Sequence, residues 1–258
     1  MVTTTDGINL AYVQLATGDG MPIILLHGYT DNSRSWSLPA PWLGDDRPIY
    51  AVDLRGHGAS DMPACCYGLD SLAHDLVAFM DAMSIQKADI VGHSLGSMTA
   101  AVFASLEPER VNKLVLVSSS LYMPAGSGGW LWDNVPTITF PTDPESQFML
   151  DWYYNPNPVD EDFLTRERAE SASRPRHVWM GVLEGLTLAN WTALAPRIAA
   201  PTLILWGDQD GFFGADEQTA LKAALPAARY ETFAGFGHNM FWEQPQAAGE
   251  MIAGFLAE

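Results

Sequence analysis

Short continuous apolar runs and helix-period stretches take turns along most of this chain. Pro22-Ile23-Ile24-Leu25-Leu26, Pro48-Ile49-Tyr50-Ala51-Val52, Lys113-Leu114-Val115-Leu116-Val117 and Pro201-Thr202-Leu203-Ile204-Leu205-Trp206 are such runs. Each has the form of a central parallel strand covered on both faces. A further short run leads into Asp89-Ile90-Val91-Gly92, the stretch 8–15 alternates as an early strand, and 228–233 reads as the last strand. Between the runs, Leu72, Leu76, Phe79, Met80 and Met83 recur at helical spacing over 71–85. A small-residue helix begins at Met98, and others are expected near Ser35, over 215–224 and from Pro245. Strand and helix in alternation predict an α/β fold with a doubly wound, mostly parallel sheet.

The rhythm breaks over 121–197. Trp130, Trp132, Trp152, Trp179 and Trp191 fall here, with prolines at Pro136, Pro141, Pro144, Pro156 and Pro158. No strand-like run is present, while 145–154, 159–172 and 176–189 read as helices. The expectation is a helical cap over 121–197 inserted into an α/β core made of 1–120 and 198–258.

Composition narrows the partners more than the fold. A length of 258 residues suits one α/β domain with an insertion, and 48% hydrophobic content is ample for its core. No run approaches the ~18 apolar residues that span a bilayer. Met1-Val2-Thr3-Thr4 has neither the basic start nor the apolar core of a signal peptide, so a cytoplasmic location is expected. A net charge of −18, with only three lysines (Lys87, Lys113 and Lys222), repels phosphate backbones and anionic lipid. Nucleic acid and membrane are therefore not expected as partners, and oligomeric state is left open. Cys65 and Cys66 are adjacent; a disulfide between neighbours is rare and two cysteines build no zinc site. Reduced, partly buried thiols are expected, with no metal and no cofactor.

The chemistry gathers around Gly92-His93-Ser94-Leu95-Gly96, which stands between a strand and a helix. A serine there sits on a strained turn that pushes its oxygen clear of the backbone, and the glycines let strand and helix approach closely. A hydroxyl is a poor nucleophile until a base takes its proton, and the base needs a carboxylate to hold its tautomer. Parallel-sheet sites lie outside the carboxyl ends of the strands. His238, in the glycine-bracketed loop after the last strand, is the candidate base. His27 is expected to orient its own loop, His57 to lie in a glycine turn, and His93 to point away from the serine. His74 and His177 read as surface or packing residues. For the acid, Asp210 is far enough past its strand to reach the histidine. Asp208 is the reserve and more plausibly bonds the turn backbone. The other common place for the acid, after 113–117, offers only Ser118, Ser119 and Ser120. Glu243 reads as a cap of the final helix. The backbone N–H groups of Leu95 and Tyr29 are the candidate oxyanion donors.

The order Ser94, Asp210, His238, together with His27-Gly28 and Gly92-His93-Ser94-Leu95-Gly96, strongly resembles the α/β-hydrolase superfamily. Asp53-Leu54-Arg55-Gly56-His57-Gly58-Ala59-Ser60 is similar to that family's turn after the third sheet strand. The resemblance covers nearly the whole chain except the cap. It implies the α/β-hydrolase fold, Ser94 as nucleophile, Asp210 and His238 completing a triad, and Tyr29 and Leu95 as oxyanion donors. One departure is Gly211-Phe212-Phe213-Gly214 after the acid, where many relatives carry a proline-containing turn.

Relatives that open epoxides or remove halides use an aspartate nucleophile, so Ser94 argues against both reactions. Hydrolysis of a carboxylic ester or lactone through an acyl-enzyme is the leading expectation. Activity should then fall at acid pH as the base protonates. Hydrolysis of a carbon–carbon bond in a ring-cleavage product, perhydrolysis, and a low-turnover binding protein are the alternatives. A carbon–carbon hydrolase would need cations for its dienoate. Arg166, Arg168, Arg174 and Arg176 are candidates, though they alternate with Glu167 and Glu170 and read more simply as solvated helix faces. A cap rich in Trp, Tyr and Met suits an apolar or aromatic group. Its expected lining is Trp130, Trp132, Trp152, Tyr153, Trp179 and Met180.

Overall fold

The structure is a computed structural model that describes residues 1–4 and 7–258. Strands β1 (Val2–Thr3) and β2 (Asn9–Leu10) pair antiparallel as a small ribbon. β3 (Tyr12–Ala16) enters the main sheet. The alternating stretch 8–15 is thus split at Ala11, whose N–H donates to Ser60 Oγ and whose carbonyl accepts from Asp53. β4 (Ile23–Leu26) is buried throughout, and β5 (Ile49–Val52) follows after two single-turn 3₁₀ segments. The helix expected near Ser35 is one of these, Ser33–Trp36.

From there strands and helices alternate as the periodicity predicts: α1 (Leu69–Ala82), β6 (Ala88–His93), α2 (Leu95–Leu106) and β7 (Val111–Val117). α2 is buried from Leu95 to Ser105; its small residues let it lie close against the sheet, and Thr99 and Ser105 hydroxyls donate to the helix's own carbonyls. Four helices come next: α3 (Ala125–Asn134), α4 (Gln147–Trp152), α5 (Glu161–Ala172) and α6 (Arg176–Thr187). β8 (Thr202–Gly207), α7 (Ala215–Ala224), β9 (Arg229–Phe233), the short α8 (Met240–Glu243) and α9 (Pro245–Ala257) close the chain.

The main sheet runs β3-β5-β4-β6-β7-β8-β9, with β3 antiparallel and every other pairing parallel. Leu26, Gly92, Leu116, Ile204 and Tyr230 form one row across five strands. The loops after β4, β6, β7, β8 and β9 therefore leave the same edge. That edge carries the candidate chemistry.

α3 was not expected. Its first turns, Ala125-Gly126-Ser127-Gly128-Gly129, oppose helix formation by roughly 1 kcal/mol per glycine. Packing overrides propensity: Leu131 is buried, and Trp130 stacks on Phe148 at 5.6 Å. The two ends of the helical segment meet at a neck, where Tyr122 bridges Asn190 and Trp191 donates through Nε1 to the Ser120 carbonyl.

Two expectations are corrected. Cys65 and Cys66 are joined as a disulfide on an exposed loop rather than held as partly buried thiols. Cys66 takes φ 74°, and that left-handed turn brings the neighbouring side chains together. Glu243 does not cap the final helix. Its carboxylate accepts from Gly237 N–H at 2.9 Å and from both the backbone and the side chain of Asn157. It thereby fastens the loop after β9 to the helical segment. Among the described residues, no helix is long and apolar enough to cross a membrane.

Candidate active site

Ser94 stands at the apex of the β6–α2 turn with φ 51° and ψ −118°, a conformation most residues avoid. Its N–H donates to the Val117 carbonyl at 3.0 Å, and its carbonyl accepts from Ser97 and Met98 to start α2. The turn has no room to relax. A Cβ on Gly96 would lie 2.5 Å from the carbonyl oxygens of Leu26 and His27, and one on Gly92 would strike the Gly96 carbonyl. The sharpness of the turn leaves Ser94 partly exposed while its neighbours are buried.

Asp210 lies in the turn after β8 and is buried. Its Oδ1 accepts from the backbone N–H groups of Phe212 (2.8 Å) and Phe213 (3.0 Å). These two donors fix the carboxylate where a proline-containing turn was absent. Both carboxylate oxygens are 2.9 Å from His238 Nδ1. A carboxylate only accepts, so Nδ1 is the donor and Nε2 of the neutral ring keeps its lone pair. Asp208 is elsewhere: its exposed carboxylate accepts from Gly235 N–H at 2.7 Å, and that bond holds its pKa below the usual value.

The loop carrying His238 is held on several sides. Its carbonyl accepts from Ser118 Oγ (2.6 Å) and His93 Nε2 (3.2 Å), and Phe212 and Phe213 pack edge-on against its ring. The other histidines fall into structural places. His27 donates through Nδ1 to the Gly28 carbonyl and accepts from Leu54 N–H, and burial lowers its pKa to about 4. His57 donates to the Arg55 carbonyl, and burial lowers its pKa to about 3. His74 and His177 are exposed.

One pocket of about 40 Å³ is lined by Ser94, His238, Gly28 and Tyr29. Met123, Leu131, Trp152, Leu186, Phe212 and Phe213 are its apolar lining, Asp31, His93 and Tyr153 meet one another as its polar end, and Asn239 and Trp242 complete it. A second, more open groove of about 260 Å³ also touches His238 and passes Trp130, Tyr154, Pro156 and Gln209. Tyr29 is buried rather than a surface tyrosine; its hydroxyl donates to the Trp179 carbonyl at 2.6 Å.

Of the expected lining residues, Trp152 and Tyr153 meet the Ser94 pocket. Trp130 lies in the neighbouring groove, and Trp179 is fully buried behind Tyr29, ring to ring at 5.4 Å. Trp132 donates to Thr187 at an exposed site, and Met180 faces a groove beside the disulfide. Helical periodicity finds the apolar residues but not the direction in which each helix presents them. The arginines of the helical segment also differ from simple solvated faces. Arg168 is buried against Glu161, and the half-buried Arg174 donates to the Gly58 carbonyl. Among the described residues, no arginine or lysine lines the Ser94 pocket.

Asp31, Asn239 and the Phe212–Phe213 pair were missed. Asp31 had a readable signal, being a polar residue in a loop at the carboxyl edge of the sheet. Asn239 follows His238 directly and carries no sequence signal that separates it from any loop asparagine.

The family model described as alpha/beta hydrolase fold matches residues 21–245. A 2-hydroxy-6-oxononadienedioate/2-hydroxy-6-oxononatrienedioate hydrolase of Paraburkholderia xenovorans (strain LB400) is 26% identical, over 98% of this chain and 97% of its own length. A non-heme chloroperoxidase of Streptomyces lividans is 27% identical, over 99% of this chain and 98% of its own. An esterase structure from Exiguobacterium antarcticum superposes with a TM-score of 0.87 at 20% identity, covering 100% of this chain and 98% of that one.

Proposed function

The chain belongs to the α/β-hydrolase fold family, and from that premise and the site geometry we propose a serine hydrolase acting on a carboxylic ester or lactone. The observation that carries this reading is the Asp210–His238 pair, which leaves Nε2 of a neutral imidazole as a base at the pocket of Ser94. Ser94 attacks the carbonyl, and Nε2 accepts its proton. The N–H groups of Leu95, at the start of α2, and of Tyr29 receive the oxyanion. His238 returns the proton to the leaving alcohol, then activates water to release the acid.

The two cavities divide the substrate. His238 lines both cavities but Ser94 only the smaller one, so the acyl group joined to Ser94 is assigned to that pocket and the alcohol to the groove past Trp130 and Tyr154. The small 40 Å³ pocket suits a short acyl group. Carbon–carbon hydrolysis of a dioate, the activity named for one relative, is less well supported because that pocket has no arginine or lysine. No cofactor enters this scheme. The partner is a small molecule, and the net charge of −18 speaks against nucleic acid and membranes. We extend the proposal to a cytoplasmic location.

The test is a rate series on p-nitrophenyl esters of increasing acyl length, with Ser94→Ala in parallel. Turnover peaking at short acyl chains is expected, and Ser94→Ala should lower kcat at least about 10³-fold. Turnover that survives the substitution would overturn the serine mechanism. Failure on every ester and lactone would overturn the substrate class.

A further inference from the structure

The polar end of the Ser94 pocket holds two groups that the proposed reaction does not use. Asp31 is 5% exposed, and one carboxyl oxygen accepts from the Tyr153 hydroxyl at 3.1 Å. Its other oxygen, Oδ2, lies 3.9 Å from His93 Nδ1. Both atoms overhang the same backbone carbon, since a Cβ on Gly28 would be 2.8 Å from Asp31 Oδ2 and 2.9 Å from His93 Nδ1. His93 donates Nε2–H to the His238 carbonyl, and burial lowers its pKa well below the ordinary value. The ring is therefore neutral, and Nδ1 carries a lone pair. That nitrogen is buried with no hydrogen-bond partner. An orphaned acceptor costs stability unless something completes it.

Burial raises Asp31 to about 7 despite the Tyr153 hydroxyl and the Gly28 N–H, which favour its ionised form, as His238 also would if protonated. Glu167 from α5 also acts on this corner; burial and Asp31 itself raise it to about 8 against Arg34 and Arg166. Below neutrality, then, Asp31 is an acid with an O–H to give, beside an imidazole nitrogen that needs an N–H or O–H.

We propose that Asp31 and His93 form a subsite for a hydroxyl group on the acyl part of the substrate, which makes hydroxyacyl esters or lactones the preferred class. A hydroxyl meets both demands: it donates to His93 Nδ1 and accepts from the Asp31 acid. A ketone or ether can only accept, and an anionic group is opposed by the desolvated carboxyl. The neighbours of Gly28 and His93 in the chain are Tyr29 and Ser94, so the hydroxyl sits close to the reacting carbonyl. The inference rests on the serine-hydrolase reading above and deepens it.

The experiment compares ethyl butyrate with ethyl 2-hydroxybutyrate and ethyl 3-hydroxybutyrate by pH-stat, for wild type, Asp31→Leu and Asp31→Asn. At about pH 6, wild type should favour one hydroxy ester by about 3- to 10-fold in kcat/KM, carried by KM. Asp31→Leu should bring that ratio towards one. At about pH 8.5 the wild-type ratio should fall, because carboxylate and Nδ1 then compete for a single O–H. Asp31→Asn keeps an N–H donor that does not titrate, so its ratio should hold across pH. A wild-type ratio of one, or a ratio that survives Asp31→Leu, overturns the subsite. An equal loss of kcat on all three esters in Asp31→Leu also overturns it, pointing instead to the deacylating water. Ethyl butyrate turned over without hydroxyl preference sinks this inference alone. No turnover of these esters, together with failure on the p-nitrophenyl esters and on lactones, sinks the ester-or-lactone substrate class and this inference with it.

Discussion

Asp210 and Asp208 are two residues apart and differ entirely in what they touch. Asp210 bonds His238 Nδ1 and two backbone N–H groups, whereas the Asp208 carboxylate accepts from Gly235 N–H and the Gln209 amide and does not meet the histidine. Asp210→Asn would offer an amide where a carboxylate holds the tautomer, so kcat should fall by about 10³–10⁴-fold with KM little changed. Asp208→Asn should stay within a few-fold of wild type. Steady-state kinetics of the two side by side decide the assignment; equal losses would reverse it. The sequence placed both aspartates correctly after the strand. Choosing between them rested on reach along the chain, and the structure adds the Phe212 and Phe213 donors that no spacing reveals.

At the scale of elements, the β6–α2 turn and the helical segment ask for different tests. Gly96→Ala forces a Cβ against two carbonyls of the β4 end. Overpacking of this kind costs about 1–3 kcal/mol, so Tm should drop by several degrees and kcat should fall with it as Ser94 shifts. On α5, the Asp160 side chain accepts from Phe163 N–H at 2.8 Å and caps the helix. Asp160→Ala should lower Tm by about 2–4 °C through loss of roughly 1 kcal/mol, leaving kcat alone. Thermal melts paired with rates separate the two cases. α5 and α6 were legible from periodicity, and α2 from its small residues. α3 was not, because its glycines hide a helix that only the packing of Leu131 and Trp130 sustains.

For the whole molecule, two sets of buried groups set the pH dependence of stability, with opposite signs. His27 and His57 are lowered from 6.5 to about 4 and about 3, so their contribution is lost as pH falls from 6.5 through those values. Asp31 and Glu167 are raised to about 7 and about 8. The unfolded chain gives up these carboxyl protons near the ordinary carboxylate range, so their contribution is lost as pH rises through 7 and 8. Below 6.5 the two sets offset one another. Between 6.5 and 8 the carboxyls dominate, offset in part as the unfolded-state histidines, His93 among them, finish losing their protons, so stability should fall by on the order of 1–2 kcal/mol. Urea melts at the two pH values measure this, and Glu167→Gln should remove much of the slope. An unchanged slope in that variant would contradict the burial of Glu167.

Local pattern along the chain sets the alternation of buried strands and helices, and with it a parallel sheet whose carboxyl edge gathers Ser94, Asp210 and His238. Those features are local: apolar period, a strained glycine-flanked turn, and loops that must leave the same edge of a parallel sheet. Tertiary structure decided what depends on azimuth and close approach. It turned Trp132, Trp179 and Met180 away from the Ser94 pocket, sent Trp130 to the neighbouring groove, and bent the chain at Cys66 so that two adjacent cysteines meet. It also hung Asp31 beside an unpartnered His93 nitrogen. A side chain's type is written in the chain, but the direction it faces is set by packing between elements distant in sequence. The polar end of the pocket is made of such meetings.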